Sequence, residues 1–404
     1  MKIRSITYFC NPGFPLKEEV LREAGDFLAQ AKAAYQAAGY EVQTTRLATV
    51  PFPRMLGEEY IEELPALAAQ LVEAIRGAGI EYASLGPAVP DLPRSYELIP
   101  EAIAASENIF FGGIMADKGR GIDMAALRAC AEVIVRCAPL DPNGFANLRF
   151  AALANVPAGA PFFPAAYHEG EEPAFAIATE AADLAVSAFE GAGNIEEGRR
   201  GLIGELEKHG RAMSEVANTR LWHVPFGGID FSLAPFPDDA HSLGNAVERM
   251  GVPRVGLHGS LAAAAILTEA VDRADFPHTG FSGFMQPVLE DSVLARRAAE
   301  GTLTVKDALL YSAVCGTGLD TVPLPGDTSA GQIAPLLLDL CALALRLDKP
   351  LTARLMPVPG KKAGEETNFD FGFFANSRVM ALDSAPLESA LAGSEAISLS
   401  PRAK

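Results

Sequence analysis

IRSITYFCNPGFPLKEEVLREAGDFLAQAKAAYQAAGYEVQTTRLA, residues 3–48, holds one full period of a repeating pattern. Ile3–Cys10 is rich in β-branched and aromatic residues and reads as a strand. Leu16–Ala38 carries apolar residues at helical spacing until Gly39 stops it, and Tyr40–Ala48 is strand-like again. Strand, helix and strand in such close succession mark parallel strands joined by crossover helices.

Working outward, the same alternation recurs. Glu58–Arg76 reads as helix, Glu81–Val89 as strand, Ser95–Ser106 as helix, Ile109–Ala116 as a buried strand and Met124–Cys137 as helix. Phe145–Asn155 and Ala174–Thr179 are strand-like around an irregular, Pro-rich loop. A long helical region from Ala181 to Trp222 is broken near Gly191–Asn194. Further strands are expected at Gly228–Leu233, Arg254–Leu257, Phe281–Val288, Leu319–Leu324, Leu351–Val358 and Phe369–Leu382. Helices are expected at Ser242–Met250, Leu261–Arg273, Ser292–Glu300, Val305–Ala313 and Ile333–Leu347. No repeat, low-complexity block or long linker divides the chain, so residues 1–382 are expected to form a single α/β domain, with 383–404 as a C-terminal tail.

Of the 404 residues, 49% are hydrophobic and 21% charged, so burial can offset the entropy of ordering and disorder is excluded. Acidic groups outnumber basic ones by 51 to 33, giving a net charge of −18. A polyanion or an anionic membrane would meet net repulsion, so neither nucleic acid nor membrane is an expected partner. The five cysteines are widely spaced without a CxxC pair, which suggests neither a disulfide framework nor a structural zinc site. With no signal-peptide pattern and no stretch read as a membrane span, the cytoplasm is the expected location. A homo-oligomer is expected on general grounds only.

Sheets of this kind place ligands beyond strand ends, where loops lead into helix amino termini. Four loops have suitable chemistry. ADKGRGID offers Gly119 and Gly121 for close backbone approach, with Lys118 and Arg120 as cationic donors for an anionic group. LHGSLAAAAIL places His258 at an expected strand end, with Ser260 as N-cap; a histidine there can move a proton, although a turn histidine bonded to backbone is the plainer alternative. VCGTGLDTVPLPGDTSAG carries Cys315, Asp320 and Asp327; the thiol is either a nucleophile or a buried packing residue. FFPAAYHEGEEPAF crowds His168 with Glu169, Glu171 and Glu172, and Asp230 in GGIDFSLAP could join His168 from another strand. No cofactor is implied, and a metal-free site is favoured over a divalent metal.

Taken together and in this order, GGIMADKGRGIDMAA, LANVPAGAPFFPAAYHEGEE, FGGIDFSLAPFP, VGLHGSLAAAAIL and VCGTGLDTVPLPGDT resemble a bacterial and archaeal family, domain of unknown function 711, also called uncharacterised protein family 0210. The resemblance implies a pyruvate formate-lyase-like barrel of about ten strands, made of two parallel half-sheets with surrounding helices; a fold alone does not define a reaction. It also implies that His168, Asp230, His258 and Cys315 match residues of the family pattern, whereas the charged DKGRGID stretch departs from a Ser/Gly-rich one. Glycyl radical chemistry is not expected, because no carboxy-terminal Arg-Val-x-Gly-aromatic motif is present and Gly372 in NFDFGFFANSR is a poor match.

The resulting expectation is a radical-free lyase, hydrolase or isomerase acting on a small polar anionic metabolite. Lys118, Gly119, Arg120, Gly121, Ser260 and Asp320 would bind it, and His168, His258, Cys315 and Asp230 would carry the chemistry around one shared cavity. The alternative is a non-catalytic metabolite-binding or sensor protein using the same pocket.

Overall fold

Period-2 alternation sorts the strands into two chemically different faces, as the computed structural model, which describes residues 1–401, lays out. The strands are β1 (Lys2–Cys10), β2 (Val42–Thr49), β3 (Tyr82–Ala88), β4 (Ile109–Asp117), β5 (Gly121–Ile122), β6 (Phe150–Ala154), β7 (Ala174–Glu180), β8 (Phe226–Ala234), β9 (Gly318–Pro325) and β10 (Leu351–Val358). They form one ten-stranded sheet in the order β8-β7-β1-β2-β3-β4-β6-β10-β9, with β5 appended to β4. β1, β2, β3, β4 and β6 run parallel to one another. The parallel pairs β7–β8 and β10–β9 flank this block on either side and run antiparallel to it.

The ladder is open: β8 and β9 are its edges. Between them lies the irregular segment from His278 to Val288, which meets β8 through isolated bridges Ile229–His278 and Ser232–Gly283, and β9 through Pro287–Asp320.

One face of the sheet is large and apolar. Ile3, Ile6, Leu47, Phe111, Ile177, Phe231, Leu319 and Leu355 belong to the main core with the helices packed on them. Helix Ala330–Leu347 closes part of that layer against helix Met124–Cys137. It is 18 residues long with a mean hydropathy of 1.5, enough by length and composition to cross a membrane, although no such stretch was expected. Its face carrying Ile333, Leu337, Leu340 and Ala344 is fully buried in the protein core.

The opposite face is small and polar, which lets backbone approach it. The connection from Asn155 to Pro173 folds across it, where the Ser84 hydroxyl donates to the Ala166 carbonyl at 2.7 Å and the His168 N–H donates to the Thr49 carbonyl at 2.9 Å. Phe163 and Ala166 pack there on Phe9, Ala48 and Ala176.

Most expected elements are present, and three expected strands are not. Arg254–Leu257 is a turn, because Gly256 has φ +101° and a Cβ there would stand 1.8 Å from the Thr302 carbonyl oxygen. Phe281–Val288 makes only isolated bridges, and Phe369–Leu382 is a series of turns and coil. Phe145–Arg149 is a 3₁₀ turn leading into β6. From residue 383 to 401 the chain has little regular structure, yet Ile397 exchanges two backbone hydrogen bonds of 2.9 Å with Ile122.

Candidate functional site

A cavity of about 430 Å³ lies on the polar face, within the roughly 300–1,000 Å³ usual for small-molecule sites. It opens at the amino ends of the parallel block, where Arg4, Gln43, Thr44, Tyr82 and Phe110 come from the first halves of their strands and Arg46 from the middle of β2. The carboxyl ends of β7 and β8 face it from the other side with Thr179, Asp230 and Ser232. The tip of the long β6–β7 connection, Pro161–Phe163, lines it, as do Phe371 and Phe373 of the 369–376 turn. Phe371 is seated against Phe145, with ring centroids 5.1 Å apart.

Three strands each place one arginine on this face: Arg4 in KIRSIT, Arg46 in VQTTRLA and Arg354 in LTARLMPV. Arg354 is buried and doubly paired, with Nη2 2.8 Å from Glu290 Oε1 and Nε 2.5 Å from Asp320 Oδ1. Arg4 holds the other Glu290 oxygen and lies 3.7 Å from Glu180, which also accepts from the Gln43 amide at 2.8 Å. Burial pushes the Glu290 carboxyl up, but Arg4 and Arg354 outweigh it and leave its pKa below the ordinary value. Asp320 goes the other way: burial raises it, Arg354 only partly opposes this, and Glu290 adds to the rise. Its Oδ2 is buried with no hydrogen-bond partner.

Arg46 differs from its neighbours. Nε donates to the Thr44 hydroxyl at 2.9 Å, and its guanidinium lies 5.0 Å from the Phe163 ring centroid and 5.8 Å from that of Tyr82. No described carboxylate forms an ion pair with it. Burial, then repulsion from Arg4, depresses its pKa to about 9. A guanidinium stays protonated at neutral pH, and the lowering reflects burial first, with Tyr82 and Glu290 acting against it.

Of the residues singled out from sequence, Asp230 lies in this cavity and Asp320 lies just behind it, on Arg354. The others lie elsewhere. His258 is exposed on the 251–259 turn, because the strand expected before it does not form. Ser260 is the buried first residue of helix Ser260–Arg273; it accepts from the Gly256 N–H at 3.1 Å and donates to the Leu257 carbonyl at 2.8 Å, stabilising the turn. Lys118 and Arg120 follow β4, at the end opposite the cavity, and are paired at the surface with Asp348 and Asp91. Gly119 donates its N–H to Asp117 Oδ1 at 2.8 Å, and Gly121, at φ +84°, lies against the Ile397 backbone. Gly121 is thus covered by the chain itself, and Gly119 lies in an exposed turn away from the cavity.

His168 is buried on the β6–β7 connection beside Phe9, with Nε2 lacking a partner. Burial lowers its pKa, which favours the neutral ring. Cys315 is a packing residue, 1% exposed, whose sulfur accepts the Gly318 N–H at 3.2 Å. The four residues expected to share a cavity therefore do not.

All five cysteines are buried and free, and burial drives the Cys10 and Cys137 thiols up to about 12. An Ellman-type reagent is expected to react with none of the five in the native protein and with all five in denaturant. One fast-reacting equivalent that maps to Cys315 would reinstate it as a nucleophile. Among the described residues, no group of three His, Cys, Asp or Glu side chains is placed to hold a metal ion.

Fold and site together define a mixed α/β protein with a polar-faced sheet and an arginine-bearing cavity. The chain belongs to the family described as Uncharacterised ACR (DUF711), whose model matches residues 1–376. Among its relatives, a UPF0210 protein of Pyrobaculum aerophilum is 38% identical over 61% of this chain and 56% of its own length. A UPF0210 protein of Pyrobaculum islandicum is 32% identical over 85% of this chain and 79% of its own. One from Ruminiclostridium cellulolyticum is 27% identical over 93% and 88%.

Proposed function

We propose that the protein takes a small anionic metabolite into this cavity and transforms it without radical chemistry, as a lyase, hydrolase or isomerase. The observation that supports this reading is Arg46: a cation facing a cavity with four guanidinium N–H donors free, where a bound anion would supply the missing counter-charge. Groups in the cavity with free valence for proton transfer are the Tyr82 hydroxyl and the Glu107 and Asp141 carboxylates. We further propose that the bridges of the 278–288 segment to β8 and β9 stand in for a tenth ladder position, giving the pyruvate formate-lyase-like barrel that the sequence resemblance implies.

A second reading, a binding or sensor protein, is favoured by the commitment of the deeper carboxylates. Both oxygens of Glu290 are held by arginines and both of Asp230 accept hydrogen bonds, so neither is free to act as a base. Incubating the purified protein with pools of organic acids and phosphoesters, followed by mass spectrometry, separates the two. Turnover that disappears in Tyr82→Phe supports the enzyme; retention of one compound without conversion supports the sensor. No compound converted or retained would remove the proposal.

A further inference from the structure

We infer that the ligand is a monocarboxylate with a flat apolar or aromatic body, its carboxylate seated on Arg46. This rests on the cavity being an anion site and narrows it to one chemical class. The first argument is a count of charges. Arg4 and Arg354 face three carboxylates, Glu180, Glu290 and Asp320. Arg149 donates to the Ser106 carbonyl and has Asp141 and Glu107 as the charges acting on it. With Arg46 included, these four arginines face five acids, so the cavity has no net positive charge to spare and admits an anion only of low charge, placed on the unpaired Arg46. A carboxylate carries one negative charge; a phosphate carries about −1.5 to −2 at neutral pH and would bring surplus charge toward Asp141 and Glu107.

Geometry supplies the second argument. Thr44 fixes Nε, so the two terminal nitrogens are left as a fork, the arrangement that takes both oxygens of a carboxylate. The Phe163 and Tyr82 rings lie over the guanidinium at 5.0 and 5.8 Å, within cation–π reach. Phe110, Phe162, Phe371 and Phe373 make up an apolar part of the remaining wall and give a flat apolar body contact area.

Isothermal titration of the full-length protein with phenylacetate, acetate and inorganic phosphate tests this. Phenylacetate is expected to bind at least about tenfold more tightly than either competitor, and Arg46→Met to weaken it by about tenfold to a hundredfold, as for loss of a charged hydrogen-bonding partner. Arg46→Lys keeps the charge but not the fork and should fall between, which also covers the case of an unfolded methionine variant. If phosphate binds more tightly than phenylacetate and depends on Arg46, the monocarboxylate inference is overturned while the anion site stands. If no probe responds to either Arg46 variant, both are overturned.

Discussion

Replacing Arg354 by methionine is expected to destabilise the fold by about 3–5 kcal/mol at neutral pH, although the two side chains fill similar space. The cause is what remains. Asp320 is fully buried, and Arg354 is the partner of its Oδ1 while Oδ2 has none. Glu290 would keep only Arg4. An isolated buried carboxylate answers by raising its pKa, and in the native protein Asp320 is already above its ordinary value because of burial. A group whose folded pKa is raised contributes stability that is present below its unfolded pKa, near 3.9, and is lost as pH rises through the folded value. The deficit of the variant relative to the native protein should therefore shrink as pH is lowered from about 7 to about 5. Urea unfolding at both pH values measures it. Adding Asp320→Asn to Arg354→Met should recover most of the loss, since Glu290 keeps Arg4 and no carboxylate of the trio is left without a cation. A single variant within about 1 kcal/mol of the native protein would mean that the three residues do not act as a unit.

The arginines that define the cavity were legible in principle. Arg4, Arg46 and Arg354 each sit inside a run that otherwise reads as a half-buried or buried strand, and a charge in such a place has to face something polar. What the sequence alone could not supply was convergence. These arginines are from 42 (Arg4 to Arg46) to 350 (Arg4 to Arg354) residues apart in the chain but share one face of one sheet, because β7 and β10 pair antiparallel with β1 and β6. The helices were readable from their period; Met124–Cys137 and Ser292–Glu300 have the limits that spacing and caps predict. His258 misled because VPRVGL has the composition of a short strand. The close packing of Gly256 on Thr302 turns that segment, and such a contact has no local signature. Lys118 and Arg120 misled for a related reason: their loop does follow a parallel strand, yet the cavity opens at the other end of the block.

Asp230 separates a structural from a chemical role, and its substitution should show which one dominates. Asp230→Ala is expected to cost about 3 kcal/mol or more, because it orphans buried N–H groups, each worth roughly 1–3 kcal/mol. Oδ1 accepts from the Ser232 hydroxyl at 2.6 Å and the Ser282 N–H at 2.9 Å, while Oδ2 accepts from the Phe281 N–H at 3.0 Å. These bonds pin the irregular 278–283 segment to β8 where regular pairing is reduced to isolated bridges. Gly280 is part of the same device: at φ +65°, a Cβ there would stand 2.3 Å from Asp230 Oδ2, so the carboxylate and the glycine fit only together. Asp230→Asn keeps one acceptor oxygen and turns an amide donor toward another donor, so its stability should fall between those of the native protein and the alanine variant. Burial raises the Asp230 pKa against the pull of these three donors, which is the pattern of a carboxylate held for geometry at an electrostatic cost. Were the asparagine variant to keep native stability in urea while losing conversion of a substrate, the pin would be incidental and Asp230 would belong to the chemistry.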